Sequence, residues 1–177
     1  ENKISFAGPE TELSIYDTFE KASKVQLQSD QLLFCGMVTG KKVMRDDRSH
    51  YESEFLPHES FVMAPGHQVA IDFPEAELKH PTTCLAIEIS QERIGQIVDS
   101  ITQQTPLDKT YGQWQYHHHL VHTHHNAQTQ ALLNRIVQIY TENHQDRNLM
   151  IDLAISELTI RLLRHQTRDF IITHSEK

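Results

Sequence analysis

The sequence predicts an α+β domain in which a small antiparallel β-barrel or sandwich is followed by about three α-helices. Up to about residue 89, short apolar segments with a period of two alternate with turn residues, and no amphipathic stretch of helix length occurs. From Ser90 onward the apolar period changes to about 3.6, the period of a helix. The chain has 177 residues, enough for one such domain with a buried core. We therefore divide it into a barrel, residues 1–89, and a helical region, residues 90–177.

Seven strands are predicted in the barrel. Each is a short run of aliphatic, aromatic or β-branched residues, and Gly, Pro, Asp and Ser between the runs supply the turns. The runs are Leu13–Phe19, Lys24–Gln28, Leu32–Thr39, Lys42–Arg45, Ser60–Met63, Gln68–Phe73 and Thr83–Ile89. Several short strands at close spacing are typical of a small barrel or sandwich.

Three helices are predicted in the second half. The first follows Ser90 as its N-cap and runs to about Gln104, and the second follows Asn126 as its N-cap. The third begins after a polar break, Asn143–Asp146, and runs to about Thr167. Two amphipathic helices joined by so short a break form an antiparallel hairpin. The polar stretch between the first two helices, residues 105–126, is interpreted as a loop or a short helical turn.

Composition and charge narrow the class of protein. The formal net charge of −8 disfavours contact with nucleic acid, and no basic patch stands out. Cys35 and Cys84 both lie in apolar runs, as buried reduced thiols do, which favours a cytoplasmic location. No apolar run is long enough to span a membrane. Because the chain begins at Glu1 rather than at Met, we expect it to be part of a longer protein.

The sequence contains no motif that supports an enzymatic function. Small β-barrels followed by helices suggest cupins, whose enzymes bind a metal through two His and a Glu. Here the corresponding positions hold Asp46, Arg48 and Glu52, and an arginine does not ligate a cation. Nucleophile elbows, phosphate loops and Cys-x-x-Cys pairs are also missing from the sequence. We therefore predict a protein that is not an enzyme and has no cofactor and no metal.

The most conspicuous motif is the histidine tract His117–His125, with six histidines in nine residues. In a helix, His118, His122 and His125 would share one face and could bind zinc or nickel. Against that, no cysteine or carboxylate is interleaved, and the tract is expected to lie outside the barrel. We predict that it is not a metal site. A pH-sensitive surface is the other role considered, because histidine charge changes near pH 6.5.

Four segments carry a family resemblance: Phe55–Gly66, Val69–Ala76, Pro81–Ile89 and Ser156–Leu163. Strings within them, such as Ile-Asp-Phe-Pro and Pro-Thr-Thr-Cys-Leu, are similar to strings in the N-terminal domain of AraC/XylS-type bacterial transcription regulators. One departure is His58, which stands where the pattern usually has Gly, so that a histidine is expected near the mouth of the barrel.

The resemblance implies a division of labour. A cupin-like barrel of the jelly-roll type would bind a small-molecule effector, and the C-terminal helices would pair two subunits as a homodimer. A pair of helix-turn-helix motifs, absent from this chain, would read DNA in the parent protein. No membrane partner is implied.

Candidate residues for these roles follow from the layout. Apolar side chains on alternating strand positions would line an effector pocket or fill the core, and a few polar groups would orient the ligand. The apolar candidates are Phe34, Phe61, Met63 and Phe73, and the polar ones are Arg48, Tyr51 and His58. For the dimer interface we select apolar positions on the helical hairpin, whose alternative role is packing against the barrel. They are Leu132, Ile136, Leu153, Ile160 and Leu163.

Two other classes of protein fit the sequence less well. One is a metal-dependent cupin enzyme such as an isomerase or dioxygenase, which would retain stoichiometric metal in the barrel. The other is a stand-alone small-molecule-binding module, which would lack the paired helix-turn-helix motifs beyond Lys177. The sequence does not identify the effector.

Overall fold

Two antiparallel sheets and three helices make up the part of the chain that the computed structural model describes, residues 2–46, 51–104 and 121–175. The strands and helices, in chain order, are β1 Asn2–Gly8, β2 Thr11–Thr18, β3 Ala22–Gln28, β4 Leu32–Thr39, β5 Lys42–Asp46, β6 Tyr51–Phe55, β7 Glu59–Met63, β8 Gln68–Phe73, β9 Thr82–Ile89, α1 Gln91–Gln104, β10 Val121–His124, α2 Ala127–Thr141 and α3 Arg147–Ser175.

The sheets form a sandwich. One has six strands in the order β1-β2-β9-β4-β7-β10, and the other has four in the order β3-β8-β5-β6. The seven predicted strands correspond to β2–β5 and β7–β9, and their ends differ from the observed ones by at most two residues. The predicted class, a small antiparallel β-barrel followed by helices, is confirmed.

Three strands were not predicted, namely β1, β6 and β10. All three lie at the edges of their sheets. An edge strand with one face in solvent is often polar, so the apolar alternation that marks internal strands is weak or missing there. The interpretation of residues 121–124 as loop or helical turn is therefore wrong. These residues pair with β7 in the six-stranded sheet, from Val121 opposite Val62 to His124 opposite Glu59.

The helices begin where the caps predict. The Ser90 hydroxyl oxygen accepts a hydrogen bond from the Arg93 amide at 3.0 Å, and the Asn126 side chain accepts one from the Thr129 amide at 2.8 Å. Helix α3 begins at Arg147 but continues to Ser175, beyond the predicted end at Thr167. The added residues include neither Gly nor Pro, so nothing in them breaks a helix. None of the described helices is long and apolar enough to cross a membrane.

The six-stranded sheet packs against other elements on both faces. One face packs against the four-stranded sheet and contributes Leu33 and Phe61 to the inter-sheet core. The opposite face packs against α2 and α3, where Phe34 and Ile87 contact residues such as Leu158. A third, smaller cluster joins α1 to α3. The boundary at residue 89 separates strands from helices, except that β10 returns from the helical region to the sheet.

Tyr140 and Arg147 fasten the helical hairpin to the first two strands. The Tyr140 and Thr11 hydroxyl groups are hydrogen-bonded, and Arg147 donates to the backbone oxygens of Ala7 at 2.8 Å and of Tyr140 at 3.1 Å. A Cβ atom on Gly8 would lie 2.9 Å from Cε1 of Tyr140, so the ring position requires a glycine there. The barrel and helices are thus coupled through side chains.

Tyr140→Phe is expected to lower the free energy of unfolding by about 1 kcal/mol, because the Thr11 hydroxyl loses its partner. Urea denaturation followed by circular dichroism measures this loss. In a Thr11→Val background the same change should cost much less, since the hydrogen bond is already absent. Equal losses in both backgrounds would show that the contact contributes nothing.

Candidate functional site

A cavity of about 190 Å³ lies between the two sheets. Its apolar walls include Tyr16 of β2, Val25 and Leu27 of β3, and Ile71 and Phe73 of β8. Strand β3 also contributes Gln26 and Gln28, and the rest of the wall comes from β4, β5 and β9, namely Cys35, Lys42, Cys84 and Ala86. We call this space the inter-sheet cavity.

Lys42 is the only charged residue in the described wall of the inter-sheet cavity, and its side chain is buried, with 1% of the residue exposed. Its ammonium donates hydrogen bonds to Cys35 Sγ at 3.2 Å and to Cys84 Sγ at 3.5 Å. Its Nζ also lies 4.6 Å from the centre of the Phe61 ring. Among the described residues, no carboxylate is within salt-bridge distance of Lys42.

Strand alternation places this lysine inside the barrel. On β5, Lys42, Met44 and Asp46 are buried, whereas Lys41 reaches outward and pairs with Glu54 at 3.0 Å. Desolvation acts to lower the pKa of Lys42, but the neighbouring Cys35 and Cys84 sulfurs outweigh it and raise that pKa above its ordinary value.

A buried cation without an anionic partner is a ready-made site for an anion. Sulfur is a weak hydrogen-bond acceptor, so the two thiols satisfy the ammonium poorly. A carboxylate that entered the cavity would give Lys42 a charge-assisted hydrogen bond, which is stronger than a neutral one. The apolar walls would at the same time cover a hydrocarbon chain. Sequence reasoning missed Lys42 because the pair Lys41-Lys42 does not show which lysine points inward.

The predicted pocket residues do not all line the inter-sheet cavity. Phe61, Met63 and Phe73 lie in the inter-sheet core, and Phe73 also lines the cavity. Tyr51 is partly buried against the same core without lining the cavity. Arg48 lies outside the described residues.

Phe34 does not face the interior of the barrel. It lies on the opposite face of β4 and packs against the helices. Strand β4 is buried on both faces, and a continuous apolar run does not show which residues point to which side, so the sequence left open whether Phe34 lines a pocket or fills the core. Leu33 and Cys35, its neighbours in the chain, point into the inter-sheet core instead.

His58 lies in the tight turn between β6 and β7 with a φ of +70°, a conformation that favours glycine. A glycine, which the resemblance leads one to expect at this position, would adopt this conformation without strain. Its Nδ1 lies 3.1 Å from Gln130 Oε1 of α2. The side chain lines a second cavity of about 330 Å³, between the outer face of the six-stranded sheet and α2, rather than the inter-sheet cavity. We call this second cavity the barrel–helix groove.

The histidine tract is part of the sheet where it is described. His122 and His124 lie on β10 beside Glu59 of β7, so the expectation that the tract stays outside the barrel is wrong. No carboxylate is interleaved in the tract, but strand pairing brings the distant Glu59 next to it. Burial lowers the pKa of His122 and of His125 despite the nearby Glu59. Residues 117–119 lie outside the described residues.

The positions that hold metal in cupin enzymes are used differently here. Asp46 is buried and accepts a hydrogen bond from His67 Nε2 at 2.8 Å. Glu52 is exposed and pairs with Arg45 at 3.5 Å. The two carboxylates therefore do not converge on a common point.

The predicted dimer residues differ in exposure. Leu132 and Ile136 are buried in the core between the helices and the sheet, and Leu163 is buried between α1 and α3. Ile160 is partly buried against that last cluster. Leu153 is 62% exposed, and Leu149, one turn earlier on α3, is 61% exposed. Leu149 was not among the residues selected from the sequence.

Comparison with known proteins places this architecture in a class of transcription regulators. The chain belongs to the AraC-type transcriptional regulator N-terminus family, whose model matches residues 9–170. No protein of curated function matches it by sequence.

Among solved structures, the fold is similar to ToxT from Vibrio cholerae. For the apo K231A protein the TM-score is 0.66 at 9% identity, over 89% of this chain and 57% of that chain. For wild-type ToxT bound to an unsaturated fatty acid the TM-score is 0.58 at 9% identity, over 94% of this chain and 57% of that chain. For ToxT bound to (E)-4-(8-methylnaphthalen-1-yl)but-3-enoic acid the TM-score is 0.54 at 14% identity, over 85% of this chain and 54% of that chain. The chain thus spans little more than half the length of ToxT.

Proposed function

We propose that this chain is the effector-sensing and dimerisation domain of an AraC-type regulator that acts in the cytoplasm on DNA through a separate domain. Its role is binding rather than catalysis. The observation that supports this most strongly is the charged Lys42, buried without a carboxylate partner among the described residues, at an apolar cavity.

The chemistry of the cavity specifies the class of effector. Lys42 binds one carboxylate, and the walls formed by residues such as Val25, Leu27 and Phe73 accept an apolar chain or ring. Both ligands named for the ToxT structures are acids with large apolar parts, which fits the same chemistry. The effector is therefore an apolar monocarboxylic acid.

The size of the cavity bears on the length of that acid. About 190 Å³ is less than the roughly 300–1,000 Å³ typical of sites for drug-sized ligands. A medium-chain acid fits more readily than a long one, whose entry requires β3 to move away from the facing sheet. Strand β3 lies at an edge of the four-stranded sheet and pairs only with β8 among the described strands.

The structural effect of ligand binding is transmitted to the helices by strands that contribute to both the cavity and the helix-facing core. On β9, Cys84 and Ala86 line the inter-sheet cavity, and the alternate residues Leu85 and Ile87 pack in the core that contains α2 and α3. An effector shifts a two-state equilibrium only by its difference in affinity for the two states. A displacement of β9 on ligand entry supplies such a difference, because it changes the packing of the helical hairpin.

The proposed function is tested by titrating the free domain with decanoate, below its micelle concentration, in a calorimeter. Decanol is the matched control, because it has the same chain without the charge. We expect saturable binding of decanoate at one site per chain and much weaker binding of decanol. Equal binding of the two would exclude Lys42 as the anchor, and a lack of binding by a series of acids from octanoate to oleate would refute this class of effector.

The dimer surface is proposed to lie on α3 around Leu149 and Leu153. Both side chains are more than half exposed, and they are four residues apart, so they share one face of the helix. Neither belongs to the core, which leaves them available to a second copy of the chain.

A further inference from the structure

Strands β7 and β10 bring three ligating side chains together at the edge of the six-stranded sheet. His124 is directly opposite Glu59 in the antiparallel register, and His122 lies two residues away on the same face of β10. One ligand atom from each residue lies within 4.8 Å of the other two. We call this group the edge cluster.

The distances in the edge cluster suit a small tetrahedral ion. Glu59 Oε1 lies 3.5 Å from His122 Nε2 and 3.4 Å from His124 Nδ1. Ligand atoms about 2.0–2.2 Å from a tetrahedral zinc stand roughly 3.3–3.6 Å apart, so both separations already match. Two histidines and one glutamate are a frequent protein ligand set for zinc, with the fourth position open to water.

Neighbouring groups hold two of the three ligands in orientation. The other carboxylate oxygen of Glu59 accepts a hydrogen bond from the Leu56 amide at 2.6 Å. Nδ1 of His122 lies 3.2 Å from the Ser53 hydroxyl, and its ring packs 4.1 Å from that of Phe55. Such outer contacts fix the ring and the tautomer of metal-binding histidines.

One buried atom of the cluster has no hydrogen-bond partner. His122 Nε2, which points toward Glu59 and His124, is inaccessible to solvent and makes no hydrogen bond in the structure. A buried polar atom of this kind normally has a partner, which a bound ion would supply. His124 is 79% exposed, so the third ligand leaves a path for the ion to enter.

We propose that Glu59, His122 and His124 form a binding site for a divalent transition-metal ion, zinc above all, which joins β10 to β7. The ion would fix the position of β10, which leads through His125 to the N-cap of α2 at Asn126. His125 itself bonds to Ser60 of β7 and to Gln130 of α2. Metal occupancy would thereby stabilise the attachment of the helical hairpin to the barrel.

The test is a zinc titration of chelator-treated protein prepared without a polyhistidine tag. Competition with a chromophoric chelator gives the affinity, and thermal unfolding with and without zinc gives the stabilisation. We expect one tight site per chain and a higher melting temperature with zinc. Glu59→Gln, which keeps an oxygen for the Leu56 amide, and His122→Gln should each weaken binding at least about tenfold. The exposed His80, in the loop before β9, provides the control His80→Gln, which should bind as the unaltered protein does.

Adventitious binding to the rest of the tract has a distinct signature. If a variant with His117, His118 and His119 all changed to Gln lost the tight site while Glu59→Gln kept it, the proposal would be overturned. Unfolding in the absence of zinc shows whether each variant is folded. The site is independent of Lys42, so Lys42→Met should retain zinc binding whether or not the cavity binds an acid.

Discussion

Lys42→Met is expected to make the free domain more stable, by roughly 1–4 kcal/mol of unfolding free energy, and to remove its affinity for the carboxylate. Among the described residues, the fully buried ammonium contacts two sulfurs and a ring face but no carboxylate, and replacing a buried charge with a well-packed apolar residue is often neutral or stabilising. Methionine fills nearly the same volume without a charge. A destabilising residue kept in a core is typical of a functional site.

The loss of affinity should be at least about thirtyfold for decanoate, since truncating one partner of a buried charge pair costs about 2–5 kcal/mol. Calorimetric titration measures the affinity, and urea denaturation measures the stability. Lys41→Met is the matched control, because Lys41 is adjacent in the chain but reaches outward to Glu54. If both variants bound decanoate equally well, the ammonium of Lys42 would have no role in binding.

The double variant Leu149→Asp, Leu153→Asp is expected to convert a dimer into a monomer. Two carboxylates on the same face of α3 would be desolvated and would repel their counterparts across the interface. The fold should survive, since both side chains are more than 60% exposed and lie outside the core. Light scattering at micromolar concentration gives the mass, and circular dichroism gives the fold.

Leu78→Asp is the control for this experiment. Leu78 is 79% exposed in the loop before β9, far along the chain from α3, so this change introduces the same charge without touching the proposed surface. A dimer that persists in the α3 double variant would locate the interface elsewhere. A chain that is monomeric without any substitution would contradict the proposal that this domain pairs on its own.

The internal strands and the helix starts follow directly from the sequence. Burial imposes a period of two or a continuous apolar run on β4, β8 and β9, and the caps Ser90 and Asn126 mark α1 and α2 with side-chain hydrogen bonds. Three of the four edge strands escape this signal; among them, β1 is mostly exposed and β10 is rich in polar residues. Their positions depend on pairing with a distant strand, which a local pattern does not record.

The candidate sites were harder to recognise. Lys42 is one of two adjacent lysines, and only the strand register shows which of them enters the barrel. The edge cluster joins Glu59 to histidines more than sixty residues later, through the β7–β10 pairing. Such contacts are long-range consequences of topology. The sequence also does not show what the apolar face of an amphipathic helix contacts, which can be its own barrel or a second subunit. The selected dimer residues Leu132, Ile136 and Leu163 are instead buried within the chain.

The crystal structure of the domain with decanoate is the most direct test of the proposed effector site. We expect the carboxylate about 2.7–3.2 Å from Lys42 Nζ, with the chain between the sheets against Val25, Leu27 and Phe73. The proposed site would be contradicted by density for the acid in the barrel–helix groove beside His58 and Gln130. In that case the inter-sheet cavity would be unchanged, and Lys42 would keep its hydrogen bonds to Cys35 and Cys84.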